Sequence, residues 1–154
     1  MIRHALHPRL RSRSGATVVE SAIVLAVLAL IVFGILDVGI AVLRYNSLSG
    51  AARRLARTAL VHGAMAEPQH TIWGPDEYSA AASDNSEIAA AVRPLLIAAS
   101  PDDVSIHVEW IDGGNEPDQR VRVTLRHVHA HFVPSMLGGS PVPLEAVSTM
   151  RIAH

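Results

Sequence analysis

Two hydrophobic periodicities divide this chain. From Ala16 to Leu43 apolar residues run almost without interruption, and between Ser21 and Leu36 there is no charged residue at all. A helix of those 28 residues would reach ~42 Å, more than the ~30 Å a bilayer core requires. The following stretch, RYNSLSGAARRLARTALVHG, changes to helical amphipathicity, with Leu48, Ala52, Leu55 and Ala59 on one face and Arg53, Arg54 and Arg57 largely opposite. The pattern predicts one long helix from Ala16 to His62, part in lipid and part in water.

Residues 63–85 carry Pro68, Gly74 and Pro75 among polar and small residues and read as a loop, with Trp73 and Tyr78 as anchors. Asp84 or Ser86 then caps a second helix whose Ile88, Val92, Leu95 and Leu96 form an apolar stripe, and Pro94 marks its last turns. From Val104 the period becomes two: Val104, Ile106, Val108 and Trp110 alternate with Ser105, His107 and Glu109. After a DGGNEPDQ turn, Val121, Val123 and Leu125 occupy one face, then Val128, Ala130 and Phe132 the other. That switch near Arg126 predicts a bulge or strong twist. VPLEAVSTMRIA supplies the closing strand. The fold class is therefore α+β: a long N-terminal transmembrane helix continuing into a soluble helix, then one helix on a three- or four-stranded antiparallel sheet. The expected division is leader 1–15, transmembrane helix 16–43, helix extension 44–62, linker 63–85 and a small α+β domain 86–154.

Charge sharpens this layout. All 13 basic residues are Arg, and residues 1–62 carry a balance of +6 whereas 63–154 carry −7. Arg3, Arg9, Arg11 and Arg13 precede the apolar run, and a short basic leader is kept on the cytoplasmic side. A nucleic-acid arm is the lesser reading of these arginines. The apolar run is longer than the ~7–15 residues of a cleavable secretory signal, so a retained single-pass helix is expected. With no cysteine, disulfides and Cys-ligated metal are excluded.

Glu20 lies at the edge of the membrane stretch, where an ionisable group is costly and more often functional than accidental. If the chain were cut between Gly15 and Ala16, Glu20 would be the fifth residue of the mature chain. It could then pair with a neighbouring subunit's terminal ammonium, so that neither charge is buried alone.

These residues carry a resemblance. Arg-x-Gly with Glu five residues beyond the Gly, ahead of a long apolar helix, resembles the class III signal of type IV pilins. The wider pattern is similar to the TadE-like family, the minor pilins or pseudopilins of tight-adherence (Flp) pilus systems. Gly15 to Glu20 resembles the family's opening, and Phe33, Gly34, Ile35, Leu36, Asp37, Val38 and Gly39 its helix ending. Ala52, Arg53 and Arg57 match its Ala-Arg-x-x-x-Arg segment, and residues 121–151 read like its closing strands. Ser21 departs from the family's usual aromatic, and Ala26 from its frequent Pro.

The resemblance implies a non-enzymatic pilus-assembly subunit in the bacterial inner membrane, with its N-terminus cytoplasmic and its C-terminal domain periplasmic or extracellular. Its implied partners are other pilins or pseudopilins, the inner-membrane assembly platform, a prepilin peptidase cutting between Gly15 and Ala16, and membrane lipid. Nucleic acid is not among them. Glu20 and Asp37 are the expected assembly residues. Arg44, Arg53, Arg54 and Arg57 form the membrane-proximal basic set, read as a solvated face that also meets anionic headgroups. The alternative is a membrane-anchored binding domain that does not polymerise.

One chemical motif stands apart. His127, His129 and His131 share a strand face if the alternation holds, and three imidazoles in His-x-His-x-His could ligate zinc or copper. A fourth group would have to come from another element, and His107 is the obvious offer. The competing reading, a polar strand face in water, is preferred, so no cofactor is expected. No catalytic ordering of Ser, His and Asp, phosphate loop or carboxylate pair stands out.

Overall fold

The computed structural model describes residues 14–131 and 138–153. The first helix, α1, spans Ser14–Ala59 without a break, continuing through Gly34, Gly39 and Gly50, so the apolar run and the amphipathic stretch form one helix as expected. From Val18 to Leu36 its large apolar side chains are exposed. In its C-terminal part Leu48, Ala51, Ala52, Leu55, Ala56 and Ala59 are buried. Four of those six are alanines, which lets the helix backbone approach the sheet closely.

The sheet is an antiparallel meander in the order β1-β2-β3-β4, with β1 Tyr78–Ala81, β2 Val104–Trp110, β3 Arg120–His129 and β4 Val142–Arg151. The fourth strand is β1, a short edge drawn from the loop-like stretch after Pro68, where Tyr78 pairs with Val108 and Ala81 with Ser105. Trp73 and Tyr78 do anchor that stretch. Trp73 is buried and stacks on His62 at 4.1 Å between ring centroids, while the Tyr78 hydroxyl bonds Asp84 and Ser86. The second helix, α2, covers Glu87–Val92; its N-cap Ser86 accepts a hydrogen bond from the Ala89 amide, and a 3₁₀ turn over Arg93–Leu95 absorbs Pro94. Ser47 on α1 bonds the segment behind α2 twice, donating to the Leu95 carbonyl at 2.9 Å and accepting from the Ile97 amide at 2.8 Å. Ile88, Ala89 and Val92 of α2 join α1 and the inward residues of the sheet in one buried cluster.

The predicted phase switch in β3 does not occur. The strand pairs with β4 residue for residue through Arg126↔Glu145, His127↔Leu144, Val128↔Pro143 and His129↔Val142, so no bulge interrupts it. Val121, Val123, Leu125, His127 and His129 all point inward, and Val128 is 61% exposed. Burying imidazoles costs less than shifting register here because each inward ring meets a polar group: the Asp103 carbonyl for His127 and the Arg44 guanidinium for His129. Phe132, the third member of the expected apolar set, lies outside the described residues.

Candidate functional site

The inward histidines end beneath α1, and there they meet the buried acid of that helix. Asp37 is only 7% exposed although it follows a run of lipid-like residues, because the end of β3 covers it. His129 Nε2 lies 3.6 Å from Asp37 Oδ1, and His131 Nδ1 lies 3.6 Å from Asp37 Oδ2. The two imidazoles meet edge to face with centroids 4.5 Å apart. About two turns along α1, Arg44 donates through Nε to the Ala98 carbonyl at 2.7 Å and through Nη1 to His129 Nδ1 at 2.6 Å. An Arg has no lone pair to offer, so His129 Nδ1 must be the acceptor and its proton sits on Nε2, facing Asp37. Burial first, then the Arg44 charge, holds the His129 pKa below its ordinary value and keeps the ring neutral.

At 3.6 Å neither His–Asp contact is a hydrogen bond. Asp37 Oδ2 and His129 Nε2 are buried without a hydrogen-bond partner among the described residues. Such groups are uncommon in native interiors and ask for an explanation. Asp37, His129 and His131 bring one donor atom each into a group in which all lie within 4.8 Å of one another.

The other sequence candidates are distributed differently. His127 is buried on the same face, but its Nδ1–H donates to the Asp103 carbonyl, 3.1 Å away, and its Nε2 is buried without a hydrogen-bond partner among the described residues. His107 pairs in register with Thr124 and Ser79 and stands on the opposite face from the inward Ile106 and Val108, so it cannot supply the fourth group. The helix supplies a carboxylate instead. Neither the helix pattern nor the strand pattern alone would pair Asp37 with His129. The available signal was the unbroken alternation Val121, Val123, Leu125, His127, His129, His131, which puts the rings on the core side. Gly15, Ala16 and Glu20 are exposed at the start of α1, away from this cluster. Arg53, Arg54 and Arg57 line a groove of about 630 Å³ with Gly50, Thr58, Val61, His62 and His70, and Arg53 Nε donates to the Ser49 carbonyl at 3.1 Å.

Set against known protein families, residues 15–57 match the one described as TadE-like protein. This segment is TadE-like. The match covers α1 nearly from end to end, including Glu20, Asp37 and the arginine face. Neither the curated proteins nor the solved structures give a match. The TadE-like assignment suggests a protein associated with the Tad pilus, a structural role in a pilus-related family. The apolar part of the TadE-like helix, long and apolar enough to cross a membrane, suggests single-pass membrane anchoring.

Proposed function

We propose that the protein is a minor pilin or pseudopilin of a tight-adherence pilus, inserted in the bacterial inner membrane with its leader cytoplasmic and its domain on the outer side. The observation that carries this reading is the division of α1. Its first half presents exposed apolar side chains around the single carboxylate Glu20, and its second half is the core of a folded domain. Residues 16–36, ahead of the buried Asp37, span ~32 Å as a helix, close to the ~30 Å of a bilayer core. The domain thus begins where the hydrocarbon ends. A rod with a bare apolar end and a capped polar end packs beside similar rods, with Glu20 neutralising a neighbouring terminal ammonium once Gly15 has been cut away.

The arginine face fits the same role. Arg53 lies ~24 Å along the helix axis from Asp37, more than twice the ~8–10 Å over which salt screens charge. That distance supports a mainly solvated face for Arg53, Arg54 and Arg57, available to a subunit or platform contact, with Arg44 the nearest of the set to anionic headgroups.

Intact mass of the protein from its own membranes tests processing, with a chain beginning at Ala16 expected. Cross-linking tests assembly: Glu20→Ala should abolish co-purification with other pilins while the domain stays folded. A membrane-anchored binder that does not polymerise would be insensitive to that substitution.

A further inference from the structure

We propose that Asp37, His129 and His131 form a binding site for a divalent transition metal of the zinc class, which clamps α1 to the end of β3. Two imidazoles and a carboxylate are a borderline donor set suited to zinc rather than to magnesium or calcium. The two 3.6 Å His–Asp separations, His129 to Oδ1 and His131 to Oδ2, are too long for hydrogen bonds. One donor atom from each of the three residues lies within 4.8 Å of the others, so a small closure of the side chains would bring all three to the ~2.0 Å bonds of one ion. Asp37 and His129 are each more than nine-tenths buried, and each carries a buried atom without a hydrogen-bond partner among the described residues, Asp37 Oδ2 and His129 Nε2. A divalent cation would satisfy both and neutralise a carboxylate otherwise enclosed at the membrane boundary. The His131 side chain, 18% exposed, gives the ion a way in, and the fourth position belongs to water.

Arg44 sets the conditions of binding. With no ion, its Nη1–H occupies His129 Nδ1 and leaves the ring proton on Nε2. An ion at Nε2 requires that proton to move to Nδ1, so the guanidinium must turn off the ring while its Nε stays on the Ala98 carbonyl. Arg44 therefore competes with the metal. Replacing it by Gln, whose amide oxygen accepts from Nδ1–H, should tighten binding.

The test uses the full chain in detergent, stripped with a chelator and titrated with Co²⁺ and then Zn²⁺. One equivalent of Co²⁺ should give the visible absorption of a four-coordinate ion, and Zn²⁺ should displace it and raise the melting temperature. Asp37→Asn, His129→Gln and His131→Gln should each weaken binding at least ~10-fold, whereas His62→Gln and His107→Gln should leave it unchanged. Because a core variant can misfold, ¹⁵N-histidine spectra of the unaltered chain provide the second reading. Zn²⁺ must shift His129 Nε2 and His131 Nδ1. Absence of binding at micromolar metal, equal binding in the three variants, or unshifted resonances of those two rings would each overturn the proposal. The outcome is independent of the pilus reading, which rests on Glu20 and the bare half of α1.

Discussion

At the scale of single residues, charges and close contacts make the sharpest predictions. Asp112 receives the Arg120 side chain at 2.6 Å together with the Arg120 amide at 2.8 Å, and this holds its pKa down to about 2. A carboxyl depressed in the folded state favours folding above its unfolded pKa, and that contribution disappears as pH falls through the folded value. In an NMR titration the Asp112 carboxyl carbon should turn over near pH 2, and in Arg120→Ala it should return toward 3.8. Gly74 faces a different constraint. Its φ is +81°, and a Cβ there would stand 2.3 Å from the Trp110 ring. Gly74→Ala should therefore lower the thermal midpoint clearly, by more than the ~1 kcal/mol associated with backbone strain alone, whereas Gly113→Ala meets no neighbouring atom and bears only its own positive φ.

At the scale of elements, β3 is the strand on which two periodicities disagreed. Apolar residues after Arg126 suggested that Val128 and Ala130 turn inward, yet backbone pairing with β4 continues and keeps the odd-numbered residues inside. This difference can be measured. Val128→Asp, on the exposed face, should change stability by no more than ~0.5 kcal/mol, while Val123→Asp places an unpaired charge in the core and should abolish folding. A bulged strand would bring the two variants closer together. The helix α2 depends on its cap: Ser86 holds both the Ala89 amide and the Tyr78 hydroxyl. Ser86→Ala should cost about 1 kcal/mol or somewhat more in chemical denaturation, with the loss concentrated in hydrogen-exchange protection of β1 and α2.

At the scale of the whole molecule, α1 belongs to two bodies at once. The first deeply buried core residue on it is Leu48, and the six that follow the bare half face the sheet. A chain starting at Leu36 should accordingly be water-soluble and retain its circular dichroism. A chain starting at Gly63 loses Leu48, Ala51, Ala52, Leu55, Ala56 and Ala59 from the core and should not fold. Within the folded length, Leu55→Ala should cost ~2–5 kcal/mol, read from the melting of the detergent-solubilised chain. The helix is thus the scaffold of the domain: its buried face packs in the same core as the sheet, and Arg44 and Ser47 bind it to the 95–98 segment.

The sequence alone determined what local physics controls. An uncharged apolar run has no stable home in water, so the helix, its length and its TadE-like signature were legible from Gly15 onward, as was the amphipathic face at Leu48 to Ala59. Period-two alternation specified β2 and the first half of β3, and Asp84 and Ser86 announced a helix through capping chemistry, of which the structure uses Ser86. Only the tertiary structure decided where Asp37 goes. The acid and His129 are 92 positions apart in sequence, and no local pattern records which strand end will lie over which helical turn. The β3 register was settled in the same way, because hydrogen bonding to β4 acts along the whole strand and outweighed the apolar preference of Val128. The histidines therefore entered the interior, and an acid in a membrane helix became their neighbour.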